Sequence, residues 1–569
     1  MEDNIIAIFN RYDTNGDGCI ERHELASVLR RLDAEQWTDG NIDMLIGAID
    51  TNKDGKLSIS EFVHWINGDD QEFAVARAAL TLAGNPVLRP IVHHHMARHK
   101  FRDLYELEAY PTDERPTGSL YTATQNSSQK EFTVHAIKMS NVNRSDLLEE
   151  IQILTEMDHP NIIRLFEVFE DKQLAHMVME YCSGGNLFDR LLHETCFSEV
   201  SAVHLMQQIV SGALYMHQRS ICFRDISPEN LRFKEPCAID RCVIKYFDFA
   251  SACRCEEESP LWGTVGEVLY GSPEMLAGMR YGMKTDMWSI GVISYFMLCG
   301  YPPFVGENDM DTVDKVITGA LCFYRDDWRS SSDSSKDFIR GLLNTDTVAR
   351  MSPEAALKHP WLQENQIDRC GEVSTQQREH LMTNMKAFAQ HTPLKKAALH
   401  AVAARLDEFE ILSLRSLFLD LDKNQDGTVS LFELKEGLDK LGLNGVASEL
   451  QKVMEAIDVD GSRSISYTEF VAATLDARQF QKESVCQAAF QAFDANGDGM
   501  ISREELGKVL ESGDLGEGFD NDAVAQAIQD CDTNGDGTID FREFMKVMST
   551  PESVANSKPK QPAKPCSLS

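Results

Sequence analysis

A twelve-residue pattern recurs six times in this 569-residue chain, with Asp or Asn at positions 1, 3 and 5, Gly at 6, an aliphatic side chain at 8 and Glu at 12. The copies begin at Asp13, Asp50, Asp422, Asp458, Asp494 and Asp532. One such loop could be a solvated turn, but six with nearly complete donor sets are not. A hard cation of calcium's size takes roughly six to eight oxygens, which alternate side chains of a tight loop bring to one point. Gly at 6 permits the sharp turn, and Glu at 12 closes the shell with both carboxylate oxygens.

The candidate calcium ligands, with position 7 acting through its carbonyl, are Asp13, Asn15, Asp17, Cys19 and Glu24 in the first loop, and Asp50, Asn52, Asp54, Lys56 and Glu61 in the second. The third and fourth loops offer Asp422, Asn424, Asp426, Thr428 and Glu433, and Asp458, Asp460, Ser462, Ser464 and Glu469. The last two offer Asp494, Asn496, Asp498, Met500 and Glu505, and Asp532, Asn534, Asp536, Thr538 and Glu543. The position-8 residues Ile20, Leu57, Val429, Ile465, Ile501 and Ile539 can join loops through short antiparallel bridges, pairing 13 with 50, 422 with 458 and 494 with 532. The fourth loop departs from the pattern, with Ser462 at position 5 and Arg463 at position 6. A side chain where φ is positive costs strain and one acidic ligand is missing, so this site should be the weakest. These segments resemble the EF-hands of the calmodulin family over roughly residues 1–70 and 411–550. The resemblance implies helix-loop-helix pairs that open an apolar groove on binding calcium.

Asp and Glu number 90 against 55 Lys and Arg, a net charge of -35 that disfavours nucleic acid as a partner. At ~150 residues per domain the length predicts roughly four domains. The 14 cysteines are scattered with no Cys-x-x-Cys site, as in a reduced, zinc-free cytoplasmic protein. Glu2 and Asp3 stand where a secretory signal would be basic, and no run reaches the ~18 apolar residues of a membrane span.

Between residues 104 and 362 short β-branched segments give way to longer helical ones, the order of a small sheet lobe followed by a helical lobe. Val134 to Lys138 alternates in period two and ends on a lysine, while Asp146 to Met157 has helical apolar spacing and includes Glu150. Then come Phe223-Arg224-Asp225-Ile226-Ser227-Pro228-Glu229-Asn230, Asp248-Phe249-Ala250, Ser272-Pro273-Glu274 and Asp286-Met287-Trp288-Ser289-Ile290-Gly291. In this order and spacing they resemble the signature set of eukaryotic protein kinases. The resemblance implies ATP and Mg2+ as cofactors. It assigns Lys138 to the phosphates, Glu150 as its partner and Asp225 as the catalytic base, with Asn230 and Asp248 on magnesium. It implies that Gly118, Leu120 and Ala136 line the nucleotide, that Met179 is the gatekeeper and that Glu180, Tyr181 and Cys182 form the hinge. Glu274 and Arg350 match a buried ion pair.

Several positions depart from that family. The phosphate-covering loop, Asp113 to Leu120, keeps only Gly118 of three glycines, which should weaken nucleotide binding. Ser227 replaces a lysine near the transferring phosphoryl group, Glu267 a helper threonine, and Arg232 an apolar residue flooring the adenine, where its aliphatic stem could still pack. Phe223 replaces a histidine and can stack with Leu154, Leu165 and Phe249; Ala250 replaces a glycine. Asn186 replaces a glutamate that reads basic substrates. Glu256, Glu257 and Glu258 either mimic a phosphate beside Arg224 or form a solvated acidic loop.

Residues 377–410 carry an amphipathic stripe of Leu381, Met385, Phe388, Leu399, Val402 and Leu406. Thr392 can cap a helix restarted by Pro393, and Lys395 and Lys396 read as a solvated face. Kinase, junction and four loops in this order are similar to the calcium-dependent protein kinases of plants and protists, and the additional pair at 13–61 makes a variant. The expected fold is α+β, a bilobal protein kinase domain flanked by all-α EF-hand domains. Its segments are an EF-hand pair (1–72), a linker (73–103), the kinase domain (104–362), an autoinhibitory junction (363–410), a calmodulin-like domain (411–550) and a disordered tail (551–569). The resemblance implies a monomeric, cytoplasmic, calcium-activated Ser/Thr kinase acting on protein substrates and held off by its junction. The alternative is a calcium-switched pseudokinase scaffold. The final Cys566-Ser567-Leu568-Ser569 fits a prenylation signal and with it peripheral membrane contact, while His93-His94-His95 reads as incidental. If the loop ranking holds, Glu433→Gln or Glu505→Gln blunts activation in a calcium titration more than Glu469→Gln does; equal effects would overturn it.

Overall fold

Two long strands at the centre of the small lobe, β6 (Gly118–Gln125) and β7 (Glu131–Lys138), pair antiparallel with Leu120 opposite His135. The structure, a computed structural model, describes strands β1 (Cys19–Glu21), β2 (Lys56–Ser58) and β3 (His93–Met96) without their side chains, and most of residues 101–549. Of the residues singled out above, Asp13, Asn15, Asp17, Glu24, Asp50, Asn52, Asp54, Glu61, Glu256, Glu257, Glu258, Asp460, Asn496 and Cys566 lie outside the described residues.

The remaining strands of this sheet are β4 (Tyr105–Leu107), β5 (Asp113–Glu114), β8 (Leu165–Glu170) and β9 (Leu174–Met179). The sheet has seven strands in the order β3-β8-β9-β7-β6-β4, with β5 also on β6. The histidine triplet belongs to an edge strand, β3, parallel to β8. One face packs Ile137 with Leu147, Ile151 and Leu154 of the helix Arg144–Glu156. The other carries a separate cluster of Phe101, Tyr105, Phe132, Val134 and Phe169. The helical lobe centres on Glu199–Gln218 and Lys284–Cys299, which are apolar nearly all round and therefore buried. Glu274 and Arg350 form the expected pair at 2.6 and 2.8 Å, with Arg350 also over the Trp288 ring.

The calcium loops pair as their position-8 residues require: Ile20 opposite Leu57, Val429 opposite Ile465 and Ile501 opposite Ile539. Arg463 sits at φ 65°, in the left-handed region that Gly427, Gly499 and Gly537 occupy in the other loops. Thr392 caps the helix Pro393–Arg405 by accepting from the Lys395 N–H. The junction stripe Leu381, Met385, Phe388, Leu399, Val402 and Leu406 is buried in one core with Phe418, Phe470, Phe490 and Phe544 of the calcium-loop helices. Lys395 and Lys396 are not a solvated face. Lys395 is 7% exposed, and Lys396 Nζ donates to the Ala456 carbonyl at 2.9 Å, because this helix is embedded among others.

The calcium-loop domain rests on the kinase domain behind its hinge. Asp158 accepts from the Thr468 N–H and hydroxyl at 2.8 and 2.7 Å, and Arg164 donates to the Ala404 carbonyl at 2.8 Å. Ser211 donates to the Gln425 carbonyl at 3.0 Å, and a Cβ on Gly427 would lie 2.4 Å from the His159 ring. Removing one partner of a buried ion pair strands the other charge, so Arg350→Ala should cost about 3–5 kcal/mol in a urea titration. A loss below 1 kcal/mol, roughly that of an exposed pair, would overturn this reading.

Candidate active site and calcium loops

Asp225 stands on a backbone segment fixed from below by Asp286. That fully buried carboxylate accepts from the N–H groups of Phe223 and Arg224 at 2.9 and 2.8 Å and contacts His217 Nε2 at 2.8 Å. Asn230 donates to the Asp225 carbonyl and carboxylate at 3.0 and 3.1 Å, tying base and metal ligand together. Asp248 holds φ 63°, a backbone strain of the kind that sets a functional carboxylate. Phe223 makes an edge contact with Phe249 at 5.0 Å and shares the core of Leu154 and Leu165, as expected. Burial first, and Asp248 beside it, push the Asp225 carboxyl up to about 7; Glu267, where a threonine was expected, adds to the effect.

Strand β7 overturns two assignments. Lys138 is exposed, and Ala136 shares its parity, away from the cleft. Side chains alternate along a strand, and Ile137 faces the helix Arg144–Glu156, so Thr133 and His135 are the residues that face inward. His135 is buried, 3.4 Å from the Thr117 hydroxyl, and feels the charges of Asp248, Arg115 and Asp113. It occupies the place expected of Lys138. Burial pulls its pKa down to about 4. Glu150 is buried without a facing cation among the described residues, and burial followed by Asp248 pushes it up to about 8. Alternation in the sequence groups Thr133 and His135 with Ile137, but that this set faces inward is set by the packing of Ile137.

Leu120 and Met179 are buried in the core bordering the cleft. Gly118 survives for space, since a Cβ there would lie 2.1 Å from the Ala136 carbonyl oxygen. Glu180 turns its carboxylate to Lys234 and Lys245 at 3.1 and 3.0 Å. Burial opposes its charge, but the two lysines outweigh burial and hold it below the usual range. The Cys182 N–H, the hinge donor that would face adenine, is taken by the Thr133 hydroxyl at 3.2 Å. Asn186 caps the helix Leu187–Glu194 by accepting from the Asp189 N–H at 2.8 Å.

The metal ligands converge on a cation. Arg115, on the phosphate-covering loop, donates through one nitrogen to Asn230 Oδ1 at 2.7 Å and Asp248 Oδ2 at 2.6 Å. Its other terminal nitrogen reaches the Glu229 carbonyl at 3.2 Å and Asp113 at 3.3 Å. Arg232 also binds Asp113, at 2.8 Å, so its guanidinium as well as its stem enters the site. The two oxygens that meet this guanidinium are hard donors turned to one cation, and Asn230 and Asp248 are the residues that would hold Mg2+.

In the calcium loops the position-1 carboxylate accepts the position-6 N–H: Asp422 from Gly427 at 2.9 Å, and Asp458 from Arg463, Asp494 from Gly499 and Asp532 from Gly537 at 2.8 Å. Glu433 and Glu543 fold back onto loop N–H groups from position 12. Among the described residues these carboxylates engage backbone donors and do not gather in threes. Burial, then Asp426, pushes Asp422 up to about 8, a repulsion that a divalent cation relieves. The hard-oxygen donor set fits calcium.

The chain matches the protein kinase domain family over residues 116–362 and the EF-hand domain pair family over 2–67, 411–475 and 483–549. It is 34% identical over 436 residues to Calcium-dependent protein kinase 5 of Plasmodium falciparum (isolate 3D7), covering 76% of each chain. It is also 35% identical over 406 residues to Calcium-dependent protein kinase 33 of Arabidopsis thaliana, covering 70% of this chain and 76% of the relative. The chain belongs to the calcium-dependent protein kinase family. Within that family it carries a catalytic segment built around Asp225 and a nucleotide cleft in which a histidine and a threonine line strand β7.

In this calcium-dependent protein kinase, Glu150 and Asp225 hold their protons more tightly folded than unfolded. Their stabilising contribution is therefore present below the ordinary carboxylate range and lost as pH rises through about 7 and about 8. His135, depressed to about 4, acts in the opposite sense only below its unfolded value of 6.5. In magnesium-free buffer, stability from denaturant titration should fall between pH 6.5 and 8, by at most about 1.4 kcal/mol per pH unit for each group. Glu150→Gln should flatten that slope; an unchanged slope would overturn the assignment.

Proposed function

We propose that this calcium-dependent Ser/Thr protein kinase transfers the γ-phosphoryl of ATP slowly, with Asp225 accepting the proton of a protein hydroxyl. The observation that carries this is the convergence of Asp225, Asn230 and Asp248 on one point, with Asn230 bonded directly to Asp225. Mg2+ and ATP supply the phosphoryl group and the neutralisation of its charge. The rate is reduced because Ser227 carries no charge and His135 stands where a lysine would hold phosphate. Calcium acts through the shared core of junction and loop helices, so ion binding shifts both together against the kinase surface they contact at Asp158, Arg164 and Ser211.

A second reading, a calcium-switched scaffold without phosphotransfer, is favoured by the Thr133 hydroxyl on the Cys182 N–H. Transfer of γ-phosphate to a mixed peptide library, with and without calcium and beside Asp225→Asn, separates the two. Transfer requiring both calcium and Asp225 is expected. Its absence, together with a calcium-dependent change in shape, would establish the scaffold.

A further inference from the structure

We propose that Arg115 and Arg232, clipped together by Asp113, are the cations that hold the phosphates of the nucleotide in this kinase, the anchoring charge having moved from strand to loop. The inference rests on the phosphotransfer reading above.

Both side chains are deeply buried, at 9% and 8% exposure, although each carries a full positive charge. Both guanidiniums stand over the Phe247 ring, at 5.4 and 5.2 Å. Both donate to the same Asp113 oxygen, at 3.3 and 2.8 Å, so one carboxylate holds two like charges together. The Nε atom of each is buried with no hydrogen-bond partner among the described residues. An unsatisfied buried donor on an ionised group is costly. Two side by side, one of them on the loop that covers phosphate in this fold, call for an oxyanion.

The places where a phosphate cation was expected do not hold one. Strand β7 offers His135, Lys138 faces outward and Ser227 is neutral. Arg115 reaches Asn230 and Asp248 through a single nitrogen, so a divalent ion taking those two oxygens releases its donors to a phosphate beside the metal. Arg232, lying toward the floor of the cleft, is placed for the phosphate nearer the nucleoside. With the hinge N–H of Cys182 held by Thr133, binding relies more on charge than on the base.

The test is equilibrium binding of a fluorescent ATP analogue to the full chain, competed with unlabelled ATP, in magnesium and in EDTA. Loss of one charge-assisted contact should weaken binding by about ten- to a hundredfold in Arg115→Ala. Arg115→Lys should keep most of the affinity, and His135→Lys placed in the Arg115→Ala background should recover part of it by returning a cation to the strand. Equal or tighter binding by Arg115→Ala would overturn the inference and make Arg115 a plug over the metal ligands. Failure of the parent reading looks different: binding that depends on Arg115 but no phosphate transfer by the wild-type chain refutes the kinase mechanism alone. Transfer by the wild-type chain with binding indifferent to Arg115 refutes only the anchor.

Discussion

A strand shows only every second side chain to one face, and in this kinase that constraint decides the chemistry of the cleft. Once Ile137 packs against the helix Arg144–Glu156, Thr133 and His135 must enter the cleft and Lys138 must leave it. The rest of the site follows from that exchange. Without a strand cation Glu150 meets no counter-charge among the described residues, and burial drives it toward the neutral acid. Thr133, at the inward position before His135, is long enough to reach the Cys182 N–H.

Charge in the cleft is balanced from the loop. Asp225, Asp248 and Asp113 would repel one another in a partly buried pocket, and the guanidiniums of Arg115 and Arg232 offset them. The glycines lost from the phosphate-covering loop are therefore partly a replacement. A glycine lets backbone N–H groups approach phosphate, whereas an arginine at the tip brings a fork of charged donors. The catalytic segment keeps its geometry because Asp286 holds its backbone from inside the helical lobe.

Calcium sensing is joined to the kinase by packing. The described junction residues from Leu381 to Leu406 share one core with the loop helices, so moving the junction disturbs that core. The loop beginning at Asp422 touches the kinase through Gln425 and through the space left by Gly427. Its glycine thus serves two needs, a left-handed backbone and room for His159.

The sequence by itself determined the local chemistry: six calcium loops and their partners, the ordered kinase segments, the Glu274–Arg350 pair and the Thr392 cap. Each of these rests on spacing within a short stretch or on a motif that names its own role. Only the tertiary structure decided which face of β7 lines the cleft, because alternation gives parity without saying which side is inside. It alone brought Arg115 to Asp248, 133 residues away in sequence, and buried Lys395 among helices that a linear stripe cannot reveal. Contacts between distant segments depend on how the elements pack, and that information lies in the shape of the whole core.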